Sequence, residues 1–376
     1  MKKIFNIEMT KHLLQIIIIC LIAIILLFIL EGCQAEYLSE KMQNKTAESL
    51  RLSIINQAGN DDLKIVFVPE GYTADQMDIF RKEVGLAWNI IRQTKPYSYC
   101  MDKISAYYTT ELASASDTIG SGHTTFGLEM PRPYHAHSRI STDSIMHVMK
   151  KVGFPVEKTI LIVLVNLGEG TSLGFTLLTD PSAEMTIPVT VVIQSLFCKD
   201  PAALSHELGH AIGLLGEEYY GDEKRFVFND SVRNEIQYWQ DKGLFLNVSL
   251  SDDESEVFWH EFLTDNAFPE EDLGIYEGGE CYPHGVYRST SNSVMRFHFQ
   301  SFYYNAVGRY LIYRRIENMH SGHDVSYEEW KITDLAHPQV PIDMQDLTGG
   351  ITRSVEVPSL EHNFKDVIIV DAKSQN

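Results

Sequence analysis

The chain has 376 residues, 44% hydrophobic and 22% charged, ample for a large core without disulfide support. That ordinary balance excludes a disordered, collagen-like or coiled-coil chain. Lys and Arg number 31 against 51 Asp and Glu, a formal net charge of −20, which argues against non-specific binding to nucleic acid or to an anionic lipid surface.

The N-terminus reads as an address. Met1 to His12 carries Lys2, Lys3 and Lys11 against Glu8, and Leu13 to Leu30 is apolar except for Gln15. A basic start, an apolar stretch and a small residue before the break are signal-peptide features. The following Leu30-Glu31-Gly32-Cys33 resembles the bacterial lipobox, whose Cys is lipidated and becomes the new N-terminus. Residues 1–33 are thus expected to be a signal peptide with a lipobox-like Cys33, and the protein an exported cell-envelope or surface lipoprotein of a bacterium. An uncleaved N-terminal membrane anchor is the other reading, because an apolar stretch of this length just spans a bilayer. Either way the rest is tethered outside the cytoplasm through its N-terminus. There Cys100, Cys198 and Cys281 can supply one disulfide and one thiol, with the pair left open by the sequence.

Residues 34–49 are polar and read as a tether. Lys64 to Val68, ahead of Pro69-Glu70-Gly71, predicts a buried strand ending in a turn. Thr73 is placed to cap a helix with Met77, Phe80, Val84, Ala87 and Trp88 at helical spacing. Ser141 to Val152 reads as a second helix. Thr159 to Asn166 and Thr186 to Ile193 read as strands, the former covered on both faces. Interleaved strands and helices predict an α/β (α+β) layer rather than a sandwich. Phe226 to about Glu280 is acidic, aromatic and irregular. Tyr303 to Ile316 is helical in pattern, and residues 326–376 read as a small C-terminal β segment, with strands at Arg353 to Val357 and Asp366 to Asp371.

The chemistry concentrates in Ser205-His206-Glu207-Leu208-Gly209-His210. Four residues at about 100° each rotate the second His only about 40° from the first, so both imidazoles leave one helix face and can converge on one ion. Zinc suits two imidazoles and a carboxylate with one position open. Glu207 stands beside them as a candidate general base. Leu204, Leu208, Ala211, Ile212 and Leu215 give this helix the apolar surface it needs to be buried. A straight helix would put Glu217 about 10 Å along the axis from His210, so Gly213 and Gly216 are expected to break it and turn the chain back.

The segment resembles the metzincin zinc peptidases, whose pattern is His-Glu-x-x-His-x-x-Gly-x-x-His or Asp. It departs in register, with Gly216 where the third ligand is expected. That departure resembles the IgA-peptidase-type metallopeptidases of gut bacteria, in which a Gly-containing turn precedes an acidic-acidic-Tyr signature, here Glu217-Glu218-Tyr219. Ile65 to Thr73 and Tyr287 to Met295 are further matching stretches, the second resembling the Met-turn. The resemblance implies a zincin/metzincin-like catalytic domain over residues 50–325, with a twisted mixed sheet, an active-site helix and a Met-turn. It implies a zinc cofactor held by His206, His210 and Glu217, with Glu218 the rival third ligand, Glu207 as general base and Met295 as a structural floor. Tyr219 and Tyr287 are candidate oxyanion donors.

The function implied is a zinc endopeptidase that hydrolyses extracellular or envelope proteins by metal-activated water. Its partner would be a protein or peptide, with glycoprotein or immunoglobulin suggested only by the family, and the chain would act as a monomer. The edge strand above the site would take substrate as an added extended strand. The alternatives are a non-enzymatic envelope-anchored binding lipoprotein on a peptidase scaffold, or a peptidase acting on peptidoglycan peptides. His135, His137, His320 and His323 read as loop or surface residues before they read as ligands.

Overall fold

Leu63–Glu70 (β2) and Thr159–Val165 (β4) carry long apolar runs with no alternation, and such strands are stable only with both faces covered. In the computed structural model they are the paired centre of a seven-stranded sheet, and every residue of β4 is buried. The structure describes residues 49–59, 62–130, 138–167, 173–194, 201–297, 301–342 and 367–370. The expected signal segment, the Arg353 to Val357 strand, Cys198, His135 and His137 lie outside the described residues. Among those described, no helix is long and apolar enough to cross a membrane.

Ser53–Asn56 (β1), Ile104–Tyr108 (β3), Gly174–Thr179 (β5), Val189–Gln194 (β6) and Val367–Val370 (β10) complete this sheet, in the order β1-β3-β2-β4-β6-β5-β10. The sheet is mixed. β3, β2, β4 and β6 run parallel, β1 is antiparallel to β3, β5 is antiparallel to β6, and β10 runs parallel to β5. Successive side chains alternate between faces. Ile65 and Phe67 of β2 join one core with Ile160, Ile162 and Val191, while Val66 and Val68 join the other with Leu161 and Val163.

Helices cover both faces. Met77–Gln93 (α1) packs into the first core through Phe80, Val84, Ala87, Ile90 and Ile91. A short 3-10 turn at Ala74–Gln76 leads into it, where the Thr73 amide donates to Gln76 Oε1 at 3.0 Å. Thr142–Val152 (α2) covers the second core. The Ser141 side chain accepts from the Ser144 amide at its start, and Gly153 closes it in the left-handed conformation at φ 76°. Pro201–Gly213 (α3) packs against α1, β5 and β6.

The stretch expected to be irregular is partly ordered. Asp230–Asp241 (α4) and His260–Asp265 (α5) are helical, while Val248–Ser249 (β7), Leu273–Gly279 (β8) and Tyr282–Thr290 (β9) form a second sheet in the order β7-β9-β8. The stripe of α4 is short, Val232, Ile236 and Trp239, with only Ile236 fully buried, and acidic and polar residues surround it. Ala306–Ser321 (α6) follows, and the first part of the expected β segment is instead a helix, Tyr327–Ala336 (α7), with a Ser326–Glu329 capping box. β10 is the one described strand of that region, and it joins the main sheet.

α7 is locked to α1 and α6 by a buried ionic cluster. Asp334 receives Lys95 Nζ at 3.0 Å, Arg309 Nη2 at 2.9 Å and the Tyr99 hydroxyl at 2.9 Å. Both cations lie in the interior, so deleting their shared carboxylate strips Lys95 of its partner and leaves Arg309 only Glu271, 2.7 Å from Nη2. Asp334→Ala is expected to cost about 3–5 kcal/mol of unfolding free energy by denaturant titration. A change below about 1 kcal/mol would mean that the cluster is not desolvated as described.

Candidate metal centre

α3 forms because Ala202, Leu204, Leu208, Ala211 and Ile212 give it a wide buried surface. That burial carries its polar residues inside with it. His206, Glu207 and His210 are 1%, 2% and 0% exposed. The four-residue spacing brings the two Nε2 atoms to 3.0 Å from each other, as the sequence spacing requires.

The other ring nitrogens settle the proton arrangement. His206 Nδ1 lies 3.0 Å from the Val294 carbonyl oxygen, and His210 Nδ1 lies 2.7 Å from that of Leu215. A carbonyl only accepts, so each Nδ1 carries the hydrogen and donates it. Both Nε2 lone pairs of the neutral rings therefore point into one small space. Glu217 lies at the same point, with Oε2 3.3 Å from His206 Nε2 and Oε1 3.3 Å from His210 Nε2. One ligand atom from each of His206, His210 and Glu217 falls within 4.8 Å of the others, so this buried group could hold a metal ion. It is the one such group among the described residues.

Two lone pairs and a carboxylate repel unless a cation lies among them. Burial alone would depress the His206 imidazolium, but the Glu217 carboxylate outweighs it and raises the pKa above the ordinary 6.5. Burial likewise opposes the charge on Glu217, yet His210 and His206 hold its carboxyl well below the usual range. With no metal, the carboxylate therefore favours a proton on His206 more than an ordinary imidazole would have it. A divalent ion would replace that proton, with the two Nδ1–H···O=C bonds orienting the rings.

The chain turns back as the sequence requires, by a different device. Leu214 takes the left-handed conformation at φ 51°, and the Leu215 amide bonds back to the Gly209 carbonyl at 3.1 Å. The nearby glycines provide space rather than a turn. A Cβ at Gly213 would lie 2.7 Å from Ile312 Cγ1, and one at Gly216 would collide with the Glu280 carboxylate. Glu280 Oε1 accepts from the Glu217 amide at 2.6 Å, and the Glu280 amide donates to the Glu217 carbonyl at 2.8 Å, pinning the backbone of the third donor.

Glu218 points away from the histidines into a nest of donors. Its carboxylate accepts from Asn247 Nδ2 at 3.1 Å, from Asn305 Nδ2 at 3.1 Å and from Ser293 Oγ. Its amide donates to the Met295 carbonyl at 3.1 Å. Burial raises its pKa, and the bonds from Ser293, Asn247 and Asn305 oppose that rise. Of the two adjacent acids, Glu217 joins the histidines and Glu218 fastens the loops around them.

Glu207 leaves the helix toward β5. Thr176 Oγ1 lies 2.7 Å from Glu207 Oε2, and a Cβ at Gly174 would lie 2.9 Å from Oε1. Met295 packs beneath the helix, where its Sδ leaves no room for a side chain at Gly209. Tyr219 stacks on His206 with ring centroids 6.2 Å apart, whereas Tyr287 lies in β9 opposite Ser249 and Glu277. His323 is exposed and pairs with Glu329 at 3.4 Å, and His320 lies on α6; neither joins a metal-binding group. Cys100 and Cys281 are both buried, and no disulfide joins them.

Sequence reading missed Thr176, Asn247, Ser293, Asn305 and Glu280. Only Thr176 left a signal, as a polar residue in the apolar run Phe175-Thr-Leu-Leu178. The others lie 29 or more residues from their partners in the chain, beyond the reach of any local pattern.

Two consequences are measurable. Glu218→Ala leaves several buried donors without an acceptor and should lower stability by about 3 kcal/mol, while Glu217→Ala should cost metal affinity and little stability. The reverse order, by denaturant and metal titration, would exchange the two assignments. Metal uptake should release protons increasingly as pH falls through the raised His206 pKa, and affinity should fall with it. Calorimetry in buffers of differing ionisation enthalpy reads this, and a proton release constant from pH 6 to 9 contradicts it. No protein-family model matches the chain, and no curated protein matches it either.

Proposed function

We propose that this protein is a zinc-dependent endopeptidase of metzincin type, built like the IgA-peptidase-type metallopeptidases and acting on extracellular or envelope proteins. We place it outside the cytoplasm, tethered through its N-terminus. The observation that carries the reading is the buried convergence of His206 Nε2, His210 Nε2 and Glu217, with the Glu207 carboxylate projecting from the same helix. Two imidazoles and one carboxylate suit zinc and leave a fourth position for chemistry. Zinc held there would polarise a scissile carbonyl and lower the pKa of water.

The chain's own groups supply the rest. Glu207 accepts the proton of the attacking water and delivers it to the leaving amine. The Thr176 hydroxyl donates to Glu207 and fixes its rotamer against β5. Val294 and Leu215 carbonyls hold the imidazoles in one tautomer. Met295 forms the floor under the helix, in the role of the Met-turn methionine. A carboxylate beside the donor set favours catalysis over simple metal storage, which needs no base.

The test is cleavage of a mixed unstructured peptide library by the full chain. Wild type loaded with zinc is expected to cut. Glu207→Ala should lose about 10²–10⁴-fold in kcat while keeping its zinc. A chelator should abolish cutting and added zinc restore it. Equal cutting by wild type and Glu207→Ala, or zinc binding with no cutting of any library, would defeat the reading.

A further inference from the structure

In a sheet whose strand β5 lies over Glu207, the outer edge of β5 is where an extended peptide would add, yet that edge is already taken. β10 pairs with it in parallel, from Val367 opposite Thr176 to Val370 opposite Thr179. Its first residue therefore starts beside the threonine that holds the Glu207 carboxylate.

Both faces of β10 are engaged. Residues in register on parallel strands share a face. Ile369 accordingly joins Leu178 in the cluster of Phe245, Val248 and Val286, and Val370 and Ile368 join Leu177 in the core behind the sheet. The Phe245–Val248 segment includes Asn247, which binds Gly216 and Glu218 next to the metal group. β10 thus fills the space between the sheet edge and the segment bordering the site.

This strand is also built to be weak. Four of its residues are described, one edge pairs with nothing among the described residues, and in sequence aspartates bracket it at 366 and 371. Charged residues at a strand's ends are one way proteins keep an edge from sticking to other chains. Main-chain pairing along an edge is sequence-tolerant, so an added peptide strand would use the same ladder positions.

We infer that β10 is a self-supplied occupant of the peptide-binding edge, so that an extended peptide must displace the chain's own C-terminal strand to reach the site. The inference rests on the peptidase reading for the identity of the competitor. Because β10 is covalently attached, it competes at an effective concentration on the millimolar scale, which is enough to hold a weak strand in place.

The test uses the full chain carrying Ile368→Asp and Val370→Asp, two changes on the face turned from α3. Zinc content should be unchanged, and KM for an unstructured peptide should fall about tenfold with kcat unaltered, as expected for removal of a tethered competitor. Hydrogen exchange at the β5 amides facing β10 should accelerate, and a synthetic peptide of residues 364–372 should restore protection and inhibit competitively. An unchanged KM with β10 released overturns the inference, as does failure of that peptide to rebind. If neither protein cuts any peptide, the peptidase reading falls, and exchange still decides whether β5 accepts a strand. Should the double variant unfold, wild type answers instead: β5 amides that exchange only by global unfolding make β10 a fixed strand and overturn the inference.

Discussion

Two imidazole lone pairs and a carboxylate face one another in a dry interior, and that is the arrangement on which the rest of the structure depends. Left alone it is repulsive, because both Nδ1 hydrogens are committed to the carbonyls of Val294 and Leu215. Only a positive charge at the centre makes it favourable. The fold therefore has to hold three donors still against their own repulsion, and a buried polar network around them serves that purpose.

The support comes from segments far apart in the chain. Asn305 caps α6 by accepting from the Gly308 amide at 2.8 Å, and its Nδ2 group donates to Glu218. Asn247 accepts from the Gly216 amide at 2.6 Å and donates to Glu218 as well. Glu280 grips the Glu217 backbone. One buried carboxylate thus ties the turn after α3 to the loop before β7, the loop carrying Met295 and the start of α6. The apolar layers supply the energy of folding, and this network converts it into position. A half-satisfied version would cost more than an apolar core, which is why each member has a partner of matched polarity.

The sheet shows the same economy at its edge. β5 holds Glu207 through Thr176 on one face and Leu177 in the core on the other, so its only open side was lateral. The chain's own β10 takes that side. An exposed edge is a liability in any sheet, and a strand laid along it removes that liability.

The strands β2 and β4 were legible from unbroken apolar runs, and the helices α1 and α2 and the convergence of His206 with His210 from helical spacing. Each depends on residues within one or two turns or one strand, where spacing determines which face a side chain occupies. Spacing did not separate Glu217 from Glu218, because adjacent acids differ only by which neighbours meet them after the chain reverses; the family resemblance favoured Glu217, and Glu217 is the acid that meets the histidines. Nor was the reversal legible at Leu214, a residue with no preference for the left-handed region, held there by the Leu215–Gly209 bond and the packing of the glycines around it. The sequence by itself determined the helix, its buried face and two of the three donors. The resemblance added Glu217 as the third. Tertiary structure alone decided the carboxylate nest around Glu218 and the strand laid along β5, because each joins residues whose proximity exists only once the sheet and helices have packed.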